Sequence, residues 1–245
     1  MRLYKRFDLC RLQVISFDLD DTLYDNVPVI LNAESAQLAF LQRKVPRLQN
    51  DDRDSWIAQR FDFAKENQML CQDVSQLRLI ATTEKLKKLG IPVEEAQALS
   101  KASFDVFLAA RNQIDIPTAH LDTLNQLKAH YRLIAVTNGN ADIKAIGLGE
   151  FFESSLSPTL NEVNMKPAPD LLHLAAESCG VPADAILHVG DSLYSDVGAA
   201  NASGAIGCWL NPQRSRLSNQ AALPHLEITK LSELLALGSS LKGVL

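Results

Sequence analysis

The residues best suited to chemistry lie in one short run, Val14-Ile15-Ser16-Phe17-Asp18-Leu19-Asp20-Asp21-Thr22-Leu23. Apolar side chains end abruptly in carboxylates, and acids this close repel one another unless a cation or a proton sits between them. Asp18-x-Asp20 alone is a weak signal, because turns after strands favour Asp for its side-chain bonds to backbone. It gains weight from three later stretches: Thr137-Asn138 after an apolar run, Lys166 ahead of Pro167-Ala168-Pro169, and Gly190-Asp191-Ser192 with Asp196 after a second apolar run. An aspartate can act as a nucleophile and carry a phosphoryl group. A second acid can protonate the leaving oxygen and then deprotonate the attacking water. A lysine, a hydroxyl and backbone N–H groups are what phosphoryl oxygens need around them. Two carboxylates, a backbone carbonyl and waters suit Mg²⁺. Plainer roles compete at each position: Asp191 as a helix cap, Lys166 as a solvated loop lysine, Thr137 as a strand-end hydroxyl.

For these groups to meet, the apolar runs must be parallel strands of one sheet, whose carboxyl ends share an edge and line a ligand crevice. The chain has that rhythm. Strands are expected at 14–17, 133–137, 186–191, 205–210 and 226–228, with a weaker one near 154–157. Helices are expected around 120–130, just after Asn140, over 171–179 closed by Gly180, up to Ala202 closed by Gly204, and over 232–237. Between about Val29 and Asn112 the pattern is helical throughout. Gly90 ends one helix there, and Ile91-Pro92 opens the next, with Glu94 and Glu95 in its first turn. The expected architecture is therefore α/β: a doubly wound parallel sheet formed by residues 1–23 and 113–245, interrupted by an all-helical insertion over 24–112. Asp21 is expected to brace the opening loop, and His188 to sit in the core or behind the site. Tyr24, Asn26, Arg78 and Arg111 are candidate substrate contacts, although a solvated helix face is the favoured reading for each of the two arginines.

Composition narrows the function further. A formal net charge of −5, with 24 Lys+Arg against 29 Asp+Glu and no basic tract, argues against nucleic acid as a partner. A small anionic metabolite remains compatible, since a metal and a few donors can reverse the sign of one pocket. The four cysteines are far apart and form no C-x-x-C pair, so reduced, mostly buried thiols are expected rather than a disulfide framework or zinc site. The apolar residues after Arg2, Lys5 and Arg6 are broken by Asp8, Arg11 and Gln13, which speaks against a signal peptide or membrane span. A cytoplasmic protein, monomeric or weakly dimeric, is the expectation.

In four ordered stretches the chain resembles the haloacid dehalogenase-like (HAD) superfamily. Asp18-Leu19-Asp20-Asp21-Thr22 is similar to its first motif and Thr137 to its second. Lys166-Pro167-Ala168-Pro169-Asp170 is similar to the third, and Gly190-Asp191-Ser192 with Asp196 to the fourth. The resemblance covers the whole core. It implies a HAD-like Rossmannoid core with Asp18 as nucleophile and Asp20 as general acid/base. It further implies Mg²⁺ held by Asp18, the Asp20 backbone carbonyl and Asp191, with Thr137, Asn138 (through its N–H) and Lys166 on the phosphoryl group. Asp196 would orient Lys166 or a metal-bound water, and the helical block would be a type 1 cap that selects substrate. Longer similarity, over Phe17–Asn26, Ala135–Asn140 and Leu187–Asp191, is to bacterial phosphatases of riboflavin biosynthesis. It implies 5-amino-6-(5-phospho-D-ribitylamino)uracil and FMN as substrates. Alternatives are a phosphatase or phosphomutase for sugar phosphates or nucleotides, a 2-haloacid dehalogenase, which in this superfamily lacks the Asp20 acid, and a catalytically silent binding protein.

Overall fold

A computed structural model describes residues 1–217 and 222–240. They divide into two compact units: Met1–Tyr24 with Asp115–Gly139 and the chain from Ile143 onward, and Asp25–Ile114 with Asn140–Asp142.

The first unit is built on seven strands: β1 (Arg2–Leu3), β2 (Val14–Phe17), β3 (Arg132–Val136), β4 (Ser155–Leu156), β5 (Ile186–Gly190), β6 (Ile206–Leu210) and β7 (Leu226–Ile228). Their spatial order is β1-β7-β6-β5-β2-β3-β4, and every pair is parallel except β1 with β7. This is the expected doubly wound α/β sheet. The strands β2 and β5 are buried along their full length, which is why they read as unbroken apolar runs rather than alternating ones. Register decides what happens at their ends. Phe17 lies opposite Ala135 on one side and Val189 on the other, so Asp18 emerges level with Val136 and Gly190. One face of the sheet packs Val14, Ile134, Val136 and Ile186 against Leu171, Leu172, Ala199 and Ala200.

The sequence did not disclose β1, a two-residue strand containing a charged residue that adds antiparallel to β7. The helix expected just after Asn140 is absent. Residues 143–151 form successive turns, with Leu148 N–H bonded to the Ile143 carbonyl and Gly147 at φ +79°, a left-handed position that breaks helical continuation. Gly180 and Gly204 do close their helices in left-handed conformations, at φ +65° and +81°.

The second unit consists of four long helices, α1 (Asn26–Lys44), α2 (Arg53–Glu66), α3 (Val74–Lys88) and α4 (Val93–Arg111). Asp25, Asp52 and Asp73 cap the first three, each accepting a backbone N–H in the first turn. Leu38, Leu41, Leu48, Trp56 and Leu86 form one core cluster, and Ala33, Phe104 and Phe107 another. The strip Asn140–Asp142 joins this unit through Asn140 Nδ2 to Ser75 Oγ (3.1 Å) and Asp142 N–H to Asn112 Oδ1 (3.0 Å).

Two expectations are corrected here. Arg78 and Arg111 are not on a solvated face; they are 6% and 1% exposed. Arg78 is paired with Glu34 (2.8 Å), which it shares with Arg60, is bonded to Gln37 (3.0 Å), and its guanidinium lies 3.6 Å from the centre of the Phe107 ring. The thiols are free as expected but not mostly buried: Cys10 is exposed, Cys71 and Cys179 are partly exposed, and only Cys208 is fully enclosed. Among the described residues, no helix is long and apolar enough to cross a membrane.

Candidate active site

The ends of β2, β3 and β5, together with the loop carrying Lys166, bring the candidate residues of the first unit into one place. Asp18 is the first residue beyond β2, and its N–H continues the ladder to the Val189 carbonyl (2.9 Å). Its carboxylate is buried, with Oδ1 2.8 Å from Lys166 Nζ and Oδ2 3.5 Å from Thr22 Oγ1. Lys166 is the hub. It donates to Asp18, to Asp196 Oδ1 (2.6 Å) and to the Val136 carbonyl (2.7 Å), three acceptors for the three protons of its ammonium. The loop that delivers it is tied to β3 by Asn138, whose Oδ1 accepts the Lys166 N–H and whose Nδ2 donates to the Lys166 carbonyl, both at 2.8 Å.

Asp196 is held from all sides. Its Oδ1 takes Lys166 and lies 3.2 Å from His188 Nε2, while its Oδ2 accepts the Ser192 N–H (3.0 Å). His188, buried in β5, places Nδ1 2.9 Å from Ser16 Oγ on β2. With Nε2–H donated to the carboxylate, Nδ1 accepts from the Ser16 hydroxyl, so this network assigns the Nε2–H tautomer. Gly190 is required by this packing: a Cβ there would fall 2.2 Å from Asp196 Cγ. Asp191 follows it, and Trp209 Nε1 donates to its carbonyl (2.8 Å).

Asp20 points elsewhere. Its Oδ1 accepts from the buried Tyr24 hydroxyl at 2.6 Å, and its Oδ2 lies where a Cβ on Gly139 would come within 2.6 Å. Thr137 is buried, and its Oγ1 accepts the Gly139 N–H (2.9 Å), leaving its own proton to be donated. The structure therefore groups Asp18, Lys166, Asp191 and Asp196 closely. Thr137, Asn138 and Asp20 line the β3 side of the same strand-end edge.

Electrostatics sets this edge apart. Burial, only partly offset by Lys166, lifts the Asp18 carboxyl to about 7. Burial and the charges of Asp196 and Asp21 lift Asp191 to about 6. Burial would also raise Asp196, but Lys166 and His188 outweigh it and hold that carboxyl well below its ordinary value. Lys166 is kept above the usual lysine value because Asp18 and Asp196 overcome its burial, whereas burial and Lys166 together lower His188 and keep it neutral. One carboxylate oxygen from each of Asp18, Asp191 and Asp196 lies within 4.8 Å of the others. The set is all hard oxygen and short of positive charge, which fits a hard divalent cation. Both Asp196 oxygens take short hydrogen bonds (2.6 and 3.0 Å), whereas Asp18 Oδ2 has only the long 3.5 Å contact with Thr22, so Asp18 and Asp191 are the carboxylates best able to hold it.

The sequence had pointed to Asp18, Asp20, Thr137, Asn138, Lys166, Asp191 and Asp196. It had not shown that Tyr24 serves Asp20 or that Ser16 and His188 brace Asp196. The i,i+4 spacing of Asp20 and Tyr24 around a turn was the one available signal.

The model of the haloacid dehalogenase-like hydrolases matches residues 12–204. A curated relative, the 5-amino-6-(5-phospho-D-ribitylamino)uracil phosphatase YigB of Escherichia coli K12, is 39% identical over 97% of this chain and 100% of its own. A solved structure described as a 2-haloacid dehalogenase from Pseudomonas syringae superposes with a TM-score of 0.85 at 32% identity, covering 94% of this chain and 99% of that one. The HAD-hydrolase YfnB of Bacillus subtilis, solved bound to magnesium, has the same fold at 22% identity, with a TM-score of 0.63 over 92% of this chain and 98% of its own.

Proposed function

This chain belongs to the haloacid dehalogenase-like hydrolase family and is a phosphoric monoester hydrolase; we propose that it works through an aspartyl-phosphate on Asp18. In this reading an Asp18 carboxylate oxygen attacks phosphorus and the ester P–O bond breaks. Asp20 gives the departing alkoxide its proton, then takes one from the water that attacks phosphorus and releases Asp18. Lys166, Thr137 Oγ–H and the Asn138 N–H hold the phosphoryl oxygens, while Asp196 fixes Lys166. Mg²⁺ held by Asp18, the Asp20 carbonyl and Asp191 would neutralise the crowded carboxylates and polarise a phosphoryl oxygen. The observation that carries the reading is a buried Asp18 carboxylate bonded to Lys166 at the strand ends, with the Asp191 and Asp196 carboxylates beside it.

The helical unit, on this proposal, is the cap that selects the substrate. The proposed substrates are 5-amino-6-(5-phospho-D-ribitylamino)uracil, the substrate named for the 39% identical relative, and FMN. The test compares kcat/KM on these two with sugar phosphates and nucleotides. A tenfold advantage for sugar phosphates would overturn the substrate assignment.

The dehalogenase description of the Pseudomonas structure favours a second reading, in which Asp18 attacks a carbon bearing halogen. A halide leaves without a proton, so that reaction gives the Asp20 acid no task. Halide release from 2-chloropropionate, with no phosphate released from any ester in the presence of Mg²⁺, would establish it.

A further inference from the structure

The geometry points to Tyr24 as a positioning residue that aims the Asp20 carboxyl at the leaving oxygen, an inference that rests on Asp20 being the proton donor. Tyr24 is buried, and its hydroxyl donates to Asp20 Oδ1 at 2.6 Å. The backbone sets that distance. Asp20 and Tyr24 are paired in a parallel bridge, Thr22 and Leu23 N–H both return to the Leu19 carbonyl (3.3 and 2.9 Å), and Asp21 makes the reversal at φ +59°. The far end is anchored as well, since the Leu23 carbonyl lies 2.8 Å from His120 Nδ1.

The other side of the carboxyl is limited by β3. A methyl group on Gly139 would lie 2.6 Å from Asp20 Oδ2 and 3.3 Å from Thr137 Oγ1. Asp20 is thus held by a hydroxyl on Oδ1, with Oδ2 against the Thr137–Gly139 backbone, whose donors are those proposed for the phosphoryl group. Proton transfer needs the donor within hydrogen-bond reach of the departing oxygen, so a carboxyl allowed to rotate loses rate rather than affinity. The Asp20–Tyr24 bridge itself is made by backbone, so within it the tyrosine hydroxyl is the group that acts on the Asp20 carboxyl.

The experiment uses leaving groups of different basicity with the full-length protein in excess Mg²⁺. An alkyl phosphate such as glycerol 2-phosphate needs its leaving oxygen protonated; p-nitrophenyl phosphate scarcely does. Tyr24→Phe, which keeps the ring and deletes the hydroxyl, should lower kcat/KM on the alkyl ester about tenfold with KM unchanged, and on the aryl ester less than about twofold. Asp20→Asn is the reference and should show the same selectivity with a larger loss. Equal losses on both esters for Tyr24→Phe, or none, while Asp20→Asn remains selective, would overturn the role of Tyr24. Equal losses for Asp20→Asn would overturn the assignment of Asp20 as proton donor instead.

Discussion

Among the described residues, each unit buries a charge cluster, and the two are balanced differently. In the helical unit, Glu34 accepts from both Arg78 and Arg60, and Gln37 accepts a further bond from Arg78, so two cations share one carboxylate. Burial would raise the Glu34 carboxyl, yet the two arginines hold it below its ordinary value. In the sheet unit, Asp18, Asp191 and Asp196 face the single ammonium of Lys166, and two of the three carboxyls are pushed upward. The helical cluster has cation to spare around its carboxylate, whereas the one at the strand ends is left short of cation. That imbalance marks a place where something positive belongs.

The comparison can be broken most sharply at Asp18. Asp18→Asn should lower phosphatase turnover by about 10³-fold or more, because it removes the proposed nucleophile, while circular dichroism and the unfolding midpoint stay native-like. Retained turnover would remove Asp18 from the mechanism. The matching change in the other cluster should do the reverse. Glu34→Gln strands the buried Arg78 guanidinium and should cost about 3–5 kcal/mol in urea unfolding. A loss below about 1 kcal/mol would show that Arg78 does not depend on the Glu34 charge for its burial.

Cation supply separates the two regions next. Mg²⁺ at about 100 times its Kd should add roughly 2.7 kcal/mol to stability by binding only the folded state. Asp191→Asn should abolish that gain and Glu34→Gln should leave it intact, both read by thermal unfolding with and without EDTA. The smallest effect is acid sensitivity. The folded Glu34 carboxyl lies below its ordinary 4.5, so its contribution is fully present above that pH and is lost as pH falls through the folded value. Unfolding midpoints followed downward from pH 5 should therefore decline less steeply in Glu34→Gln than in the parent. Parallel declines would exclude Glu34 as a source of acid lability.

Much of this was legible in the chain. Apolar runs that stop at Asp18, Thr137 and Asp191, separated by helical stretches, require parallel strands, and parallel strands deliver their ends to one edge. Turn chemistry was less legible. Residues 143–151 contain helix-compatible side chains, but Gly147 at positive φ turns them into a string of bends. Arg78 illustrates a second limit, since an arginine among helical residues carries no mark of burial until its carboxylate and aromatic partners are known.

The sequence by itself determined the α/β architecture and the identities of the polar groups at the strand ends, because both follow from local periodicity and the direction of parallel strands. Only the tertiary structure decided how those groups divide the work. Lys166 meets Asp18 across 148 residues, and Ser16 meets His188 across 172. Those pairings set burial and charge balance, and they depend on which strands lie side by side and in what register.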